Sequence, residues 1–509
     1  MARETKEIKI KVFRFDPKED DGPRLEEYPV DYYEGMRIWR ALDHINEKYR
    51  TNIAWRLSCR EYLCGSCTIM INGRPGLACK TAVEEGMVLE PLPYFPIVKD
   101  LAIDRDMAEN RFKKIQPWLK REDDISARPV KLHQTEILSS REMSQCIGCL
   151  ACIAVCPAIK GAWDLFNGPM LQTLTAKAAF NPMDTVDRVA QAVRSGAFNC
   201  TQCGACWDVC PKRIGIPEKA IGQMRILFAS QDEDGLAKAM GKRLKDYRNP
   251  FAMEESRDRW AEGLGLPKSG PILFYAGCVS SYEFPGTLRS AVRLLRKVGI
   301  EPAYLAHDEI CCGEPLLRVG NEQEFIKNAM DFVELCKNRG VKEVITPCAE
   351  GYRTFTVNYP RYFAGVELPK FKHITQVLSE RLKALPVKKD AIKGMKVTYQ
   401  DPCRLGRDCG IYEEPRNLIA HLEGIELVEM KKNRRDAVCC GAGGGVKLTN
   451  RAFAEWMGSN RIEMARETGA SVLVTACPWC DKNFRDSGQE KDRMAVKNVI
   501  DLLDECLVD

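Results

Sequence analysis

A chain of 509 residues is too long to be organised around one hydrophobic core, and its length suggests about three or four domains. Hydrophobic residues at 45% and charged residues at 29% fit a globular protein, and 76 basic against 71 acidic residues leave a formal charge of +5, which excludes a large nucleic-acid footprint. The opening MARETKEIKIKVFRFD places charges where a signal peptide needs an apolar stretch, and no run reaches roughly 18 apolar residues, so the expectation is a cytoplasmic protein with no stable membrane insertion.

The unusual feature is 24 cysteines, a number that in a long chain without secretory features points to metal rather than to disulfides. Twelve stand in three tight sets before residue 211 and nine in spaced sets after residue 277, leaving Cys336, Cys409 and Cys506 apart as ordinary buried residues.

The first set, SCREYLCGSCTIMINGRPGLAC, contains Cys59, Cys64, Cys67 and Cys79 in the C-x4-C-x2-C…C spacing of a plant-type 2Fe-2S site. Gly65 and Ser66 are small enough to let backbone amides approach the sulfurs. The following TIMINGRPGL reads as a hairpin turning at Asn72-Gly73. A four-cysteine zinc site is the competing reading, although zinc ribbons favour two separated C-x2-C pairs.

CIGCLACIAVCP and CTQCGACWDVCP repeat one spacing, each closed by a proline. In a two-cluster ferredoxin the fourth cysteine of each run serves the other cluster. One 4Fe-4S cubane then takes Cys146, Cys149, Cys152 and Cys210, and the other takes Cys156, Cys200, Cys203 and Cys206. The intervening DTVDRVAQAVRSGAF has helical periodicity. A 2Fe-2S module followed by two cubane runs, with PLPYFPIVKDLAID between them, resembles the iron-sulfur subunits of succinate dehydrogenases and fumarate reductases over residues 5–225. Many members of that family lack the middle cysteine of the last run, and Cys203 supplies it here. The resemblance implies a partner flavoprotein carrying FAD.

After a charged helical stretch (226–268) and the turn-rich GLGLPKSGP, the chain repeats itself. PILFYAGC, EICCGEP and KEVITPC contribute Cys278, Cys311, Cys312 and Cys348; KVTYQDPC, AVCCGAGGG and SVLVTACPWC contribute Cys403, Cys439, Cys440, Cys477 and Cys480. Short apolar strands ending at cysteines, joined by helical segments such as FPGTLRSAVRLLRKVG and RAFAEWMGSNRIEMARETG, predict a duplicated α/β unit with sites beyond the strand ends. Five thiolates exceed what one cubane or one zinc ion uses. A dinucleotide-binding loop is excluded because GxGxxG would need glycine at Val446.

This half resembles the paired cysteine-rich CCG domains of heterodisulfide reductases, in which such a set holds a noncubane 4Fe-4S cluster. Gly441, Gly443, Gly444 and Gly445 would then let the backbone pass close to cluster and substrate. The first repeat has Gly351 in place of the last cysteine, leaving structural zinc, a cubane or a degenerate noncubane site open, and the second repeat is expected to be the catalytic one. The combination over nearly the whole chain resembles the iron-sulfur subunits of thiol:fumarate reductases of methanogenic archaea. That implies oxidation of coenzyme M and coenzyme B thiols, with electrons passing to a FAD-containing partner that reduces fumarate. Both coenzymes are anionic, so Arg404 and Arg407, beside Cys403, are candidate substrate-binding residues; Lys431, Lys432, Arg434 and Arg435 read more simply as a solvated loop.

The expected fold is multidomain α+β and α/β: a β-grasp 2Fe-2S domain (1–105), an α-helical two-cubane domain (106–225), a helical linker (226–268) and two CCG domains (269–390, 391–509). Two other functions stand beside the first: a succinate dehydrogenase-like subunit whose CCG domains meet a quinone or another redox protein, and a zinc-bound docking platform.

Overall fold

A computed structural model describes residues 6–121, 134–160, 162–232, 235–388, 394–488 and 494–508, which divide into two units. Residues 1–197 and 204–224 form the first; residues 198–203 and 225–509 form the second.

The first unit begins with strands β1 (Lys6–Arg14) and β2 (Arg24–Tyr32), paired antiparallel. Ile8, Ile10 and Val12 alternate with charged residues, so one face of β1 is buried and the other solvated, as a period of two requires. Strands β3 (Thr68–Ile71), β4 (Arg74–Leu77) and β5 (Val88–Glu90) complete a mixed sheet in the order β2-β1-β5-β3-β4, with β1 and β5 parallel. The helix Ile38–Tyr49 buries Ile38, Ala41, Leu42 and Ile45 in the same core, one face at helical spacing. This is the β-grasp arrangement that the sequence predicts. Asn72 and Gly73 both have positive φ (50° and 75°), the type I′ turn expected between β3 and β4.

Strands β6 (Ile97–Lys99) and β7 (Ala102–Ile103) form a small hairpin in the connecting segment. The buried Asp100 at its turn accepts from Arg14 Nε (2.9 Å) and from the amides of Phe15 (3.1 Å) and Ala54 (2.9 Å), fastening the connector to the sheet domain. Beyond the hairpin the chain turns helical, with segments that include Ala151–Ala154, Pro169–Ala179, Arg188–Arg194 and Ala205–Asp208. Asp187 starts the helix predicted between the two cysteine runs, its carboxylate accepting from the Ala190 amide at 2.9 Å.

In the second unit, β8 (Ile272–Phe274), β9 (Glu343–Thr346) and β10 (Lys370–His373) form a parallel sheet in the order β10-β9-β8. Strands β11 (Met395–Gln400), β12 (Ile425–Leu427), β13 (Val472–Thr475) and β14 (Ala495–Asn498) form another, β12-β11-β13-β14, also parallel. Ala303 makes a parallel bridge to Leu273 where β12 pairs with β11, so both sheets follow one winding. The duplication read from the cysteines is a duplication of topology. Central strands such as Val472–Thr475 are buried on both faces, as crossover helices on each side demand. The helices Pro285–Lys297 and Arg451–Arg466 fall where the sequence predicts them.

Two features differ from the sequence expectation. The stretch 226–268, expected as a linker, packs on the first repeat: Met240 and Leu244 join its core, and Trp260 lies against Tyr304 with ring centroids 4.7 Å apart. The short segment 198–203, inside the second cubane run, belongs to the second unit. No helix among the described residues is long and apolar enough to cross a membrane.

Candidate iron-sulfur centres and thiol site

The 2Fe-2S loop is curled by alternating left-handed residues, with φ of 61° at Arg60, 63° at Tyr62 and 67° at Gly65. That curl aims the amides of Glu61, Leu63 and Cys64 at the Cys59 sulfur, each at 3.4 Å, an arrangement suited to a thiolate and its metal. The Ser66 hydroxyl, with neighbouring amides, draws the Cys64 thiol down to about 6, whereas burial pushes Cys67, beside Cys79, up to about 12. Gly65 is also required by its neighbour: a Cβ there would lie 2.7 Å from Cys149 Cβ. The 2Fe-2S loop therefore packs directly on the first cubane loop. Arg105 spans the junction, donating to the Gly148 carbonyl at 2.8 Å, with the Cys149 and Cys64 sulfurs both within reach of its charge.

Cys146, Cys149 and Cys152 meet Cys210 of the other run. Burial raises all three of the first run, Cys149 to about 11, and the charge of Cys210 adds to each. These donors fit the crossed ligand set: two buried and two half-buried thiols lie within reach of one another's charge, and become tolerable as anions only around a cation. Within the second run the division between units falls after Cys203, and Cys206 lies in the first unit.

In the second repeat the five thiols converge as a chain of neighbours. Cys439 contacts Cys403 and Cys440; Cys440 Sγ is 3.3 Å from Cys480 Sγ; Cys480 contacts Cys477. Cys439 also lies within interaction range of Cys203, a cysteine of the second cubane run. In the first repeat Cys278, Cys311 and Cys312 form a similar chain, and Cys348 lies close enough to Cys477 for its charge to be felt. The donor chemistry of both repeats fits a metal cluster, with five thiols against four.

Between the repeats lies an enclosed cavity, lined by Tyr275, Cys278, Cys312, Cys348, Glu350 and Gly351 on one side and by Leu448, Pro478 and Trp479 on the other. Glu314 also lines it. Burial, then Glu314, pushes the Glu350 carboxyl well above the usual range, while against burial Arg318 and Arg404 hold Glu314 below it. No sequence motif flags these carboxyls. The one signal is that the first doublet reads CCGE where the second reads CCGA.

The glycines after the second doublet make room for protein backbone. A Cβ on Gly444, at φ 65°, would lie 2.5 Å from the carbonyl carbon of Thr201 and 2.6 Å from the Cys200 oxygen; one on Gly443 would lie 3.3 Å from the Thr201 oxygen. Gly441 instead admits the helix Arg451–Arg466, its Cβ position being 2.6 Å from the Ala454 oxygen.

The sequence expectation for Arg404 and Arg407 is contact with anionic substrate; the structure directs their donors inward. Arg404 donates to the Gln202 carbonyl and Asp408 Oδ2, both at 3.0 Å, and its guanidinium faces Glu350 at 3.5 Å and Glu314 at 3.7 Å. Arg407 donates to the Cys203 carbonyl (2.7 Å), the Arg435 carbonyl (3.0 Å) and the Ala437 carbonyl (2.5 Å). Arg434 pairs with Glu413 at 2.6 Å, and Lys431 is exposed, in keeping with a solvated loop. Cys336 is a buried helix residue, Cys409 lies 3.8 Å from Thr356 Oγ1, and Cys506 is buried.

A β-grasp cysteine loop, a repeated pair of cysteine runs and a duplicated thiol-rich α/β unit define an iron-sulfur electron-transfer subunit of an oxidoreductase. Family models agree: a 2Fe-2S iron-sulfur cluster binding domain matches residues 9–110, a 4Fe-4S dicluster domain residues 142–214, and a cysteine-rich domain residues 272–355 and 397–485. The chain is 34% identical to the B subunit of the fumarate reductase (CoM/CoB) of Methanothermobacter marburgensis, covering 98% of this chain and 99% of that protein. It belongs to that protein's family. Over 72% of its length it is also 30% identical to the D subunit of the dihydromethanophenazine:CoB–CoM heterodisulfide reductase of Methanosarcina barkeri, covering 94% of that protein. A hypothetical protein from Helicobacter pylori shares the fold alone, at 13% identity and a TM-score of 0.66 over 98% of this chain and 94% of that one.

Proposed function

We propose that this chain is the thiol-oxidising iron-sulfur subunit of a thiol:fumarate reductase. Coenzyme M and coenzyme B thiols, R–SH and R′–SH, become R–S–S–R′ with release of two protons and two electrons; fumarate takes up two electrons and two protons on a partner subunit carrying FAD. The observation that carries this reading is Cys439, whose side chain lies close enough to interact both with its own five-thiol set and with Cys203 of the ferredoxin run. A thiol-rich site without an electron exit has no use for that contact.

Bound clusters supply one-electron steps, and at the five-thiol site a metal that favours the thiolate form of an incoming thiol. The protein's part is placement. Within the second repeat the neighbouring sulfurs hold Cys439 and Cys480 in the thiol form and draw Cys440 and Cys477 toward the thiolate, a mixed set that a metal would convert to thiolates throughout. Gly65 and Arg105 hold the 2Fe-2S loop on the first cubane loop, and the exposed Leu63 and Tyr62 at the tip of that loop offer a surface to the flavoprotein.

The test is an anaerobic assay of the chain with its co-purifying flavoprotein, following fumarate-dependent loss of both thiols. Equal loss of each with matching succinate supports the reading; fumarate reduction from an artificial donor with both thiols untouched rejects it.

A further inference from the structure

The segment Cys200–Cys203 is held by arginines on its carbonyl side. Arg225 Nη2 donates to the Cys200 carbonyl at 2.7 Å, Arg404 Nη1 to the Gln202 carbonyl at 3.0 Å, and Arg407 Nη1 to the Cys203 carbonyl at 2.7 Å. Gln202 is left-handed, at φ 51°, and its amide turns the other way, to the Cys200 sulfur at 3.3 Å. The loop thus presents amides to the cluster side and gives its carbonyl dipoles to cations.

Arg225 and Arg407 also grip the structure around the doublet. Arg225, fully buried over the Phe198 ring at 5.1 Å, donates to the Gly444 carbonyl at 2.7 Å, in the same glycine run that passes against Cys200. Arg407 takes the carbonyls of Arg435 and Ala437, just ahead of Cys439. By contrast, the carbonyl side of the first cubane loop receives a guanidinium hydrogen bond from Arg105 at Gly148. A cluster gains one negative charge on reduction, and buried cations stabilise that state more than the oxidised one, raising the potential. Arg404 shares its charge with Asp408, Glu314 and Glu350, so Arg225 and Arg407 weigh more.

We propose that Arg225, Arg404 and Arg407 form a cationic cradle that fixes the Cys200–Cys203 loop against the cysteine doublet and makes its cluster the first acceptor of electrons leaving the five-thiol site. They are positioning residues: they act through the loop and its cluster. The inference rests on the relay reading of the site, but its failure is separable. Absence of thiol-driven cluster reduction in the unaltered protein overturns the relay; unshifted potentials in the variants overturn the cradle.

The experiment is an EPR-monitored potentiometric titration of the full chain with its flavoprotein. Arg225→Met is expected to make one 4Fe-4S signal at least tenfold harder to reduce, a fall of 59 mV for one electron, while the other cubane and the 2Fe-2S signal stay in place. Arg225→Lys should recover most of the shift. An assembled Arg225→Met protein with all midpoints unchanged rejects the cradle. If that variant loses its cluster, Arg407→Met, at a partly exposed position, replaces it: a smaller fall of the same signal is expected, and no fall rejects the cradle.

Discussion

The two cysteine-rich repeats share one strand order, yet they diverge at the residues nearest their thiols. Where the second repeat has Ala442 and the run Gly443 to Gly445, the first has Glu314, Pro315, Leu316 and Leu317; where the second has Trp479 and Cys480, the first has Glu350 and Gly351. Leu316 is buried in the first core, whereas the glycines admit the backbone of Cys200 and Thr201. One scaffold therefore carries two surroundings: the second repeat opens toward a ferredoxin loop, and the first, with Gly351 in place of a cysteine, faces a mostly apolar cavity into which Glu314 and Glu350 bring the acidic groups. What a duplicated site does is set by the few residues around its ligands rather than by the winding that carries them.

The strongest test of this asymmetry is the matched pair Cys440→Ser and Cys312→Ser. Loss of a thiolate from the five-thiol set is expected to lower thiol oxidation by more than about a hundredfold, beyond the loss usual for an outer-shell partner. The matching change in the first repeat should leave measurable turnover. Equal losses in the same anaerobic assay would erase the functional distinction between repeats.

Next in size is Gly444→Ala. Its φ of 65° and the 2.5 Å approach to Thr201 leave a side chain no space that backbone could yield cheaply. The expected cost is about 2–3 kcal/mol, concentrated on the seat of the 198–203 segment, with loss of iron equivalent to one cubane. Iron content and denaturant midpoints together check it; full iron at unchanged stability would mean that the segment does not depend on the glycine run.

Gly351→Cys asks the reverse question of the first repeat. The nearest atom to a Cβ there is Cys348 Cβ at an ordinary 3.6 Å, so the change should cost no more than about 1 kcal/mol. Restoring the fifth thiol is expected to change the metal content or the EPR signature of that half. An unaltered metal count and spectrum would show that the first repeat's metal does not reach position 351.

Much of this was legible in the sequence because metal ligands impose spacing. The cysteine runs, the Asn72-Gly73 hairpin and the duplication can be read without coordinates, since each leaves a periodic or fixed-distance trace. The outer strands cannot: KFKH, IEL and AVKN are short, half-buried and partly polar, and only sheet pairing makes them strands. Trp260 and Met240 look like parts of a charged linker until the first core buries them. The arginine cradle was invisible for a different reason. Its acceptors are backbone carbonyls, which every residue has, so no side-chain pattern marks Arg225 as a partner of Cys200.

The effect most remote from the thiol sites concerns the join between repeats. The helix Pro285–Lys297 of the first repeat packs on Val499–Glu505 of the second, and Thr287 Oγ1 donates to Asp501 Oδ2 at 2.7 Å. Burial, helped by the charge of Asp481, raises the Asp501 carboxyl from 3.8 to about 6. The folded state therefore binds a proton that the unfolded chain has already released between about pH 4 and 6, so stability falls as pH rises through that window and does not return above it. Asparagine keeps an acceptor for Thr287 and removes the charge. Asp501→Asn should be stabilising by about 2 kcal/mol at pH 8, the discounted value of the shift, and by only about a third of that at pH 4.5. Denaturant midpoints of the apo-protein at the two pH values decide it. An equal effect at both would mean that Asp501 ionises without cost, and that the seam between the repeats is wetter than its packing implies.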